Sequence, residues 1–426
     1  MSLPGVATAD SPYPGRLGIL RNAGFLLLAY VLPRAFTFGA TVVAARVLGA
    51  AGFGGYGAAA ALAVAASVVA TLGMMPLLIG EIARAPEQAP ALLGFAHRVK
   101  TVAGAAMLAA LLGAAQLLDF SPEIATAALL LGLAYAVGAY TENLGAYFQG
   151  IERMEVWTQA CALQGAITGG LGAVLVVTTG DLRAFCLAPL AGQLSALGWL
   201  AAKRRRSAPH RPPEMAATRS GLFRAPAPAD SQRAFLVALA PFGAAFLVMA
   251  AYYKSDVLLL SRLASPEQTG LYTAAYRFVD VAHALALVGV TAIYPRLTRS
   301  RAKAPGSVIA WTLLAATLPA LTLGLARVPV MTGLFGPQYT PSSAALLPLA
   351  AMLVPLVLNI VAQYVLAAQG HVGRVAVGYA VGLAANLSLG LALVPTLGVR
   401  GSGIAKLASE TVVALILVSG VSSRAR

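Results

Sequence analysis

The chain has 426 residues, a formal net charge of +15 and a mean hydropathy of +0.78, with 59% hydrophobic and only 11% charged residues. Soluble globular proteins carry roughly a quarter charged residues, so this composition excludes a soluble domain and indicates a polytopic membrane protein. The basic excess could suggest nucleic-acid binding, but the Lys and Arg residues cluster in alternate loops between apolar runs. That placement is typical of membrane topology, and we expect no nucleic-acid partner.

Twelve apolar segments are long enough to span a bilayer, which takes about 20 helical residues. In chain order they cover 19–44, 54–79, 98–118, 124–149, 156–178, 183–202, 233–261, 269–294, 307–327, 343–368, 373–394 and 401–420. Residues 1–15 are polar and Pro-rich, so we expect an uncleaved first span rather than a signal peptide. The sequence therefore predicts an all-α polytopic membrane protein with about 12 transmembrane helices.

The basic residues of the connecting segments predict the orientation. With the N-terminus inside, the inside segments hold most of the Lys and Arg residues, including Arg84, Arg98 and Lys100 after the second span. The outside segments hold only five: Arg46, Arg183, Arg262, Arg327 and Arg400. Under the positive-inside rule both termini are cytoplasmic.

Residues 203–232, KRRRSAPHRPPEMAATRSGLFRAPAPADSQ, are Pro- and Arg-rich with few large apolar residues. We interpret them as a basic, flexible cytoplasmic linker between residues 1–202 and residues 233–426, each with six predicted spans. Its charge serves topology and tethering. Docking on anionic lipid or on a glycosyltransferase is the alternative interpretation.

The two halves share a sequence repeat. A single offset along the chain places Arg46 on Arg262, Gly54 on Gly270 and Tyr56 on Tyr272 without a gap. Further on, residues 79–84 match 294–299 at an offset smaller by one. Near-constant offsets predict two homologous halves that run the same way through the membrane. This is the parallel-repeat plan of a transporter.

Glycine patterns within the spans favour packing over ligand binding. The stretch GFGGYG at 52–57 satisfies G-x-G-x-x-G, but it follows a membrane span instead of a buried strand, so we exclude a nucleotide site. Its glycines suit a tight turn and a close helix approach. The pairs Gly165/Gly169 and Gly378/Gly382 are typical of helix packing, and Cys161 and Cys186 are interpreted as small apolar packing residues.

Charged residues inside the spans carry the functional signal, because each costs about 2.5–3.5 kcal/mol at membrane depth and marks a pathway or a bundle interior. Four cations stand against four carboxylates: Arg34, Lys254, Arg277, Lys406, Glu142, Asp256, Asp280 and Glu410. This balance means that counting alone does not predict a cationic cavity. Arg34 and Arg277 favour a water-filled cavity, since a guanidinium suits phosphate oxygens.

Spacing groups some of these residues. Arg277, Asp280 and His283 follow each other at intervals of three, so each adjacent pair shares a helical face. His283 is a packing histidine or, beside Asp280, a proton-coupling group. Lys406 and Glu410 are four apart and form either a structural ion pair or part of a pathway. We find no metal-ligand cluster and no catalytic constellation, so we expect a transporter and not an enzyme.

Four stretches resemble a known family: RVLGAAGFGGY at 46–56, DVLLL at 256–260, GLYTAAYR at 270–277 and LFGPQY at 334–339. They are similar to the characteristic segments of Wzx-type polysaccharide flippases. These belong to the multidrug/oligosaccharidyl-lipid/polysaccharide exporter (MOP) superfamily, and the resemblance extends over nearly the whole chain.

The resemblance implies two six-helix bundles around a V-shaped central cavity in the bacterial inner membrane. The expected substrate is an undecaprenyl-pyrophosphate-linked oligosaccharide, moved outward by alternating access, with H⁺ or Na⁺ as coupling ion and no other cofactor. Membrane lipids, and the glycosyltransferases and polymerase of the same pathway, are the expected partners.

The resemblance also implies roles for individual residues. Cationic residues of related flippases face the cavity, and on that basis Arg34, Lys254 and Arg277 are expected to hold the pyrophosphate. The ion-coupling candidates come instead from the ionisable residues at membrane depth: Glu142, Asp256, Asp280, His283 and Glu410. Lipid II flippases of the superfamily usually have fourteen spans, which makes peptidoglycan precursor a poorer match. Drug-exporting relatives often carry an acid in the first helix, where this chain has Arg34.

Three other functions remain open on the sequence alone. One is a cation-coupled small-molecule exporter of the same fold. Another is a polymerase or ligase of surface polysaccharide, which the short outside loops argue against. The last is a scaffold that binds partners of glycan synthesis and transports nothing.

Overall fold

The computed structural model describes residues 16–71, 73–206, 230–300 and 306–422, and these form α-helices with short connections and no strand. The helices are α1 (Arg16–Thr71), α2 (Met74–Arg84), α3 (Ala89–Leu117), α4 (Pro122–Gly150), α5 (Met154–Thr179), α6 (Leu182–Arg206), α7 (Asp230–Leu263), α8 (Pro266–Ser300), α9 (Gly306–Leu325), α10 (Arg327–Phe335), α11 (Ser343–Ala368) and α12 (Val372–Ser422). Short 3₁₀ segments cover Pro86–Gln88 and Pro337–Ser342. The all-α membrane prediction is confirmed.

Two helices are long enough to cross a bilayer twice. α1 has 56 residues and α12 has 51, and each is interrupted by a single glycine with positive φ: Gly49 at 68° and Gly398 at 53°. Glycine adopts this backbone region readily because it lacks a Cβ atom. The loops predicted at 45–53 and 395–400 are therefore wrong, since one residue makes each connection.

Seven helices of the described residues are long and apolar enough to span a membrane. An eighth is counted if Ala316–Leu325 and Arg327–Phe335, which meet at 76°, form one bent span. The twelve predicted spans and their arrangement in two bundles stay a prediction. α10 lies where the sequence predicted an outside loop, so this helix was missed.

The predicted linker is shorter than expected at both ends. α6 continues to Arg206 and α7 begins at Asp230, so 203–206 and 230–232 are helical. The rest of the linker lies outside the described residues. α6 therefore carries four consecutive basic residues in its last turn, where positive charge complements the helix dipole.

The halves meet where α1 crosses α8. A Cβ atom on Gly54 would lie 1.9 Å from the carbonyl oxygen of Pro266, and one on Gly270 would lie 1.8 Å from that of Ala50. The repeat matches Gly54 with Gly270 and Ala50 with Pro266, so the two contacts are equivalent. A two-fold axis between the repeats would relate them in the same way. The predicted close approach is confirmed, whereas the turn falls at Gly49 and not within 52–57.

Two arginines extend this junction, and they too are repeat mates. Arg46 donates from Nε to the Leu334 carbonyl at 2.8 Å and from Nη2 to the Gly333 carbonyl at 2.6 Å, in the last turn of α10. Arg262 donates from Nη1 to the Asp119 carbonyl at 3.3 Å, just after α3. Each half thus sends an arginine to a helix C-terminus of the other, at the end that carries the predicted outside loops.

Aromatic packing fills the same junction. The largest buried cluster contains residues of both halves. The ring of Phe53 packs edge-on against that of Tyr339 at 6.4 Å, and the Tyr339 hydroxyl donates to the Ala45 carbonyl at 2.9 Å. Apolar burial and hydrogen bonds therefore stabilise the contact between the halves at this end.

Candidate functional site

A cavity of about 360 Å³ lies between α1, α4, α7 and α8, and residues of both halves line it. It brings together five residues that the sequence singled out: Arg34, Lys254, Arg277, Asp280 and His283. The remaining candidates, Glu142, Asp256 and Glu410, do not line it. Helix packing thus divides the intramembrane charges into separate groups.

One carboxylate bridges two cations in the cavity wall. Asp280 Oδ1 lies 3.0 Å from Lys254 Nζ, and Asp280 Oδ2 lies 3.3 Å from Arg277 Nη1. With Arg34, the lining therefore holds three cations and one carboxylate, a formal net charge of +2 with His283 neutral. The balanced count over the whole set of spans conceals this excess.

Of the three cations that line the cavity, Arg34 is the one that has no acidic residue within ion-pair distance in the described part of the chain. Its Nη1 donates to the Tyr30 carbonyl at 2.8 Å, and its guanidinium lies 5.4 Å from the centre of the Tyr30 ring. The neighbouring Pro33 packs against Gly165 of α5, where a Cβ atom would lie 2.3 Å from the Pro33 Cα. This contact fixes the helix that presents Arg34.

Tyrosine rings surround the other two cations. Lys254 Nζ lies 4.8 Å from the centre of the Tyr253 ring and 4.2 Å from that of Tyr276, and the Arg277 guanidinium lies 5.3 Å from that of Tyr56. Such cation–π contacts hold a cation in place while leaving donors free for a ligand.

Sequence reasoning missed these tyrosines as cavity residues. The lining includes four: Tyr56, Tyr135, Tyr253 and Tyr276. Tyr253 also donates its hydroxyl to Asp280 Oδ1 at 3.2 Å. Tyr253 and Tyr276 each adjoin a charged residue in the sequence, and this was the available signal.

His283 lies on the cavity wall one turn from Asp280. Its ring packs against that of Tyr253, with centroids 5.1 Å apart. The predicted neighbourhood of Asp280 and His283 is therefore confirmed at the level of the shared cavity. A proton-coupling role stays a prediction.

Glu142 belongs to a second charged group, in the N-terminal half. Its Oε2 lies 3.3 Å from Lys100 Nζ, and the Lys100 side chain is only 1% exposed. Charge counting placed Lys100 in the inside segment after the second span, and the structure places it buried within α3. The partner of Glu142 was thus missed, since the two residues lie on different helices and far apart in the sequence.

Lys406 and Glu410 do not form the ion pair that their spacing allowed. Lys406 Nζ donates to the Tyr252 carbonyl at 2.9 Å and lies 3.8 Å from the centre of the Tyr252 ring. Glu410 Oε2 accepts from Asn359 Nδ2 at 2.7 Å. Both side chains are buried, and each finds its partner on another helix.

Asp256 lies deep in the same half, turned away from Lys254. Its Oδ2 accepts from the Tyr272 hydroxyl at 2.6 Å, and its buried Oδ1 has no hydrogen-bond partner. Lys254 pairs with Asp280 instead. Lys254 and Asp256, two residues apart on α7, therefore point in different directions.

Comparison with known proteins adds a family and a fold. The sequence family described as polysaccharide biosynthesis protein matches residues 19–301. A search of curated protein sequences finds no match.

Solved structures with the same fold include transporters of the MOP superfamily. An inward-facing multidrug resistance MATE transporter is 14% identical with a TM-score of 0.64 and covers 95% of this chain and 93% of its own. A second similar structure is a MOP superfamily transporter from Pyrococcus furiosus, in which a reversed polarity of the binding pocket suggests a different function. It is 15% identical with a TM-score of 0.64, and the match covers 96% of this chain and 95% of the transporter. The lipid II flippase MurJ, in an inward closed conformation, is 13% identical with a TM-score of 0.61, and the match covers 93% of this chain and 87% of MurJ.

Proposed function

We propose that this chain, which belongs to the polysaccharide biosynthesis protein family, is a flippase for undecaprenyl-pyrophosphate-linked oligosaccharide in the bacterial inner membrane. Its fold is that of transporters of the MOP superfamily. The observation that carries the proposal is the excess of two positive charges in a cavity lined by residues of the predicted membrane spans. Such an excess suits an anionic substrate and disfavours a cationic drug.

The cations suit a pyrophosphate group. Arg277 and Arg34 present guanidinium donors that match phosphate oxygens, and Lys254 adds a point charge. Arg34 has no acidic partner to give up, so we assign it the first contact with the incoming phosphate. Tyrosine hydroxyls in the lining can donate to and accept from sugar hydroxyls.

Asp280 acts in this mechanism as an internal anion that the substrate displaces. In the structure it neutralises Lys254 and Arg277. A pyrophosphate carries more negative charge than one carboxylate and competes for the same donors. The displaced Asp280 then becomes a proton acceptor beside His283, which links substrate binding to protonation.

Transport requires the junction between the halves to open. The contacts that must separate are the Gly54/Gly270 crossing and the arginine contacts of Arg46 and Arg262. Besides Asp280 and His283, we assign ion coupling by H⁺ or Na⁺ to the carboxylates outside the cavity, Glu142, Asp256 and Glu410. The unpartnered Oδ1 of Asp256 supports this assignment.

The proposal is tested by complementation of a deletion strain, with surface polysaccharide measured at equal protein level. Arg34→Gln and Arg277→Gln each remove a charge-assisted contact of about 1.5–3 kcal/mol, so glycan export should fall at least about tenfold. Arg183→Gln is the control, because Arg183 pairs with Asp181 at the start of α6 and does not line the cavity. Full export by both cavity variants would overturn the proposal. Normal glycan in the deletion strain together with raised drug tolerance on expression would favour an exporter.

A further inference from the structure

A second cavity, of about 400 Å³, lies among α3, α4 and α6 in the N-terminal half. α4 packs against both α3 and α6 and so forms its floor. The lining residues are His97, Tyr140, Leu144, Leu197, Ala201, Arg204 and Arg205. None of them lines the cavity between the halves, so this cleft is a separate feature.

One face of α6 supplies the basic end of the cleft. Leu197, Ala201 and Arg204 or Arg205 follow at helical spacing, so an apolar stripe leads to two guanidinium groups in the last turn. Arg204 lies 5.6 Å from the centre of the Tyr147 ring, which holds its position. Neither arginine forms an ion pair with an acidic residue in the described part of the chain.

The opposite wall contributes an unused donor or acceptor. His97 Nε2 is buried and has no hydrogen-bond partner, and its ring packs against that of Tyr140 with centroids 5.4 Å apart. Buried polar atoms in proteins are nearly always satisfied, and leaving one unpaired is costly. His97 therefore points to a ligand that brings an oxygen into the cleft.

The cleft is amphipathic in a way that matches a lipid headgroup. Leu144, Leu197 and Ala201 form an apolar part, and Arg204 and Arg205 a basic part at the helix end. The loop charges predict this helix end on the cytoplasmic side. Basic pockets between transmembrane helices on that side bind anionic headgroups.

We propose that this cleft binds the phosphate headgroup of an anionic phospholipid of the cytoplasmic leaflet. Arg204 and Arg205 take the phosphate oxygens, His97 Nε2 hydrogen-bonds to the headgroup, and the apolar stripe contacts the start of the acyl chains. The inference does not rest on the proposed transport function.

Topology and the helix dipole are the simpler explanation for basic residues at this helix end. Lys203 and Arg206 serve those purposes equally but do not line the cleft. Lys203 lies instead over the Trp199 ring, 4.6 Å from its centre. These neighbours provide a control with an identical loss of charge in the same turn.

The test is lipid binding to the purified full-length protein by native mass spectrometry, with titrations of cardiolipin and of phosphatidylcholine. Each guanidinium near an anionic surface contributes about fivefold in affinity. Arg204→Gln/Arg205→Gln should therefore weaken cardiolipin binding by at least tenfold, against less than threefold for Lys203→Gln/Arg206→Gln. His97→Leu, which leaves the basic residues in place, should weaken it about threefold or more.

Several results would overturn the inference. Equal losses in the two double variants would assign the effect to charge alone. Equal binding of phosphatidylcholine would exclude recognition of an anionic headgroup, and full competition by millimolar inorganic phosphate would assign the cleft to a free anion. If the double variant does not fold, His97→Leu with wild-type affinity is sufficient to refute the proposal.

Discussion

The crossing of α1 and α8 predicts a measurable response to a single methyl group. In Gly270→Ala the new Cβ atom would lie 1.8 Å from the Ala50 carbonyl oxygen, whereas ordinary contact begins at 3.4 Å. The two helices must therefore move apart at this point until that contact distance is restored. The obstacle is backbone, so no side-chain rotation can relieve it.

The cost of such overpacking is about 1–3 kcal/mol, which corresponds to about a 5- to 150-fold shift toward conformations in which the halves are apart. The assay is the rate of labelling of Thr269→Cys by a membrane-impermeant maleimide, in a protein whose Cys161 and Cys186 are replaced by alanine. Thr269 is buried beside the crossing. Gly270→Ala should raise the labelling rate within that range.

Gly39→Ala is the matched control, because it lies in α1 with nothing within 4 Å of its added Cβ atom. In this open helical position the change should be neutral or slightly stabilising. Equal labelling rates in Gly270→Ala and Gly39→Ala would show that the crossing does not govern access, and the reasoning would be refuted.

Two further predictions concern the charged groups. Asp280→Asn removes the anion that competes for Lys254 and Arg277, so calorimetric binding of pyrophosphate should tighten about tenfold, and weaker binding would contradict the displacement mechanism. Glu142→Gln removes the carboxylate paired with Lys100 and should lower thermal stability more than Lys100→Met, because the Lys100 side chain is the more deeply buried partner, 1% exposed against 36% for Glu142. The opposite order of melting temperatures would refute the assignment of Lys100 as the desolvated partner.

The sequence indicated the right residues for the cavity because charge at membrane depth is expensive and therefore conspicuous. Arg34 and Arg277 were predicted to meet a cavity in this way, and Lys254 through the family resemblance; all three line the cavity. Asp256, only two residues from Lys254, was no less conspicuous, yet it lies outside the cavity. Two residues along a helix turn a side chain to another face, and only packing decides which face meets the opening.

The pairings of charged residues on different helices could not be predicted from the sequence. Lys100 and Glu142 are 42 residues apart, and the contact of Lys406 with Tyr252 joins residues 154 apart. Local spacing suggested Lys406 with Glu410 instead, since that pair shares a face. Buried polar groups on different helices take the partner that packing supplies, so short-range rules favoured the wrong one.

The repeat was the most informative long-range signal. It matched Gly54 with Gly270 and Arg46 with Arg262 from the sequence alone, and the fold places both pairs at the junction of the halves. The loop around Arg46 was nevertheless wrong. A single glycine with positive φ lets the helix continue on both sides, and nothing in the composition distinguishes such a break from a loop.

The most direct test of the account is flipping of a fluorescent undecaprenyl-pyrophosphate oligosaccharide in proteoliposomes, with wild type, Arg34→Gln and Arg183→Gln side by side. Arg34 is decisive because its replacement leaves no carboxylate unpaired. The account predicts protein-dependent flipping that falls at least about tenfold in Arg34→Gln and stays near wild type in Arg183→Gln. Wild-type flipping by Arg34→Gln, or no flipping by folded wild-type protein, would contradict it.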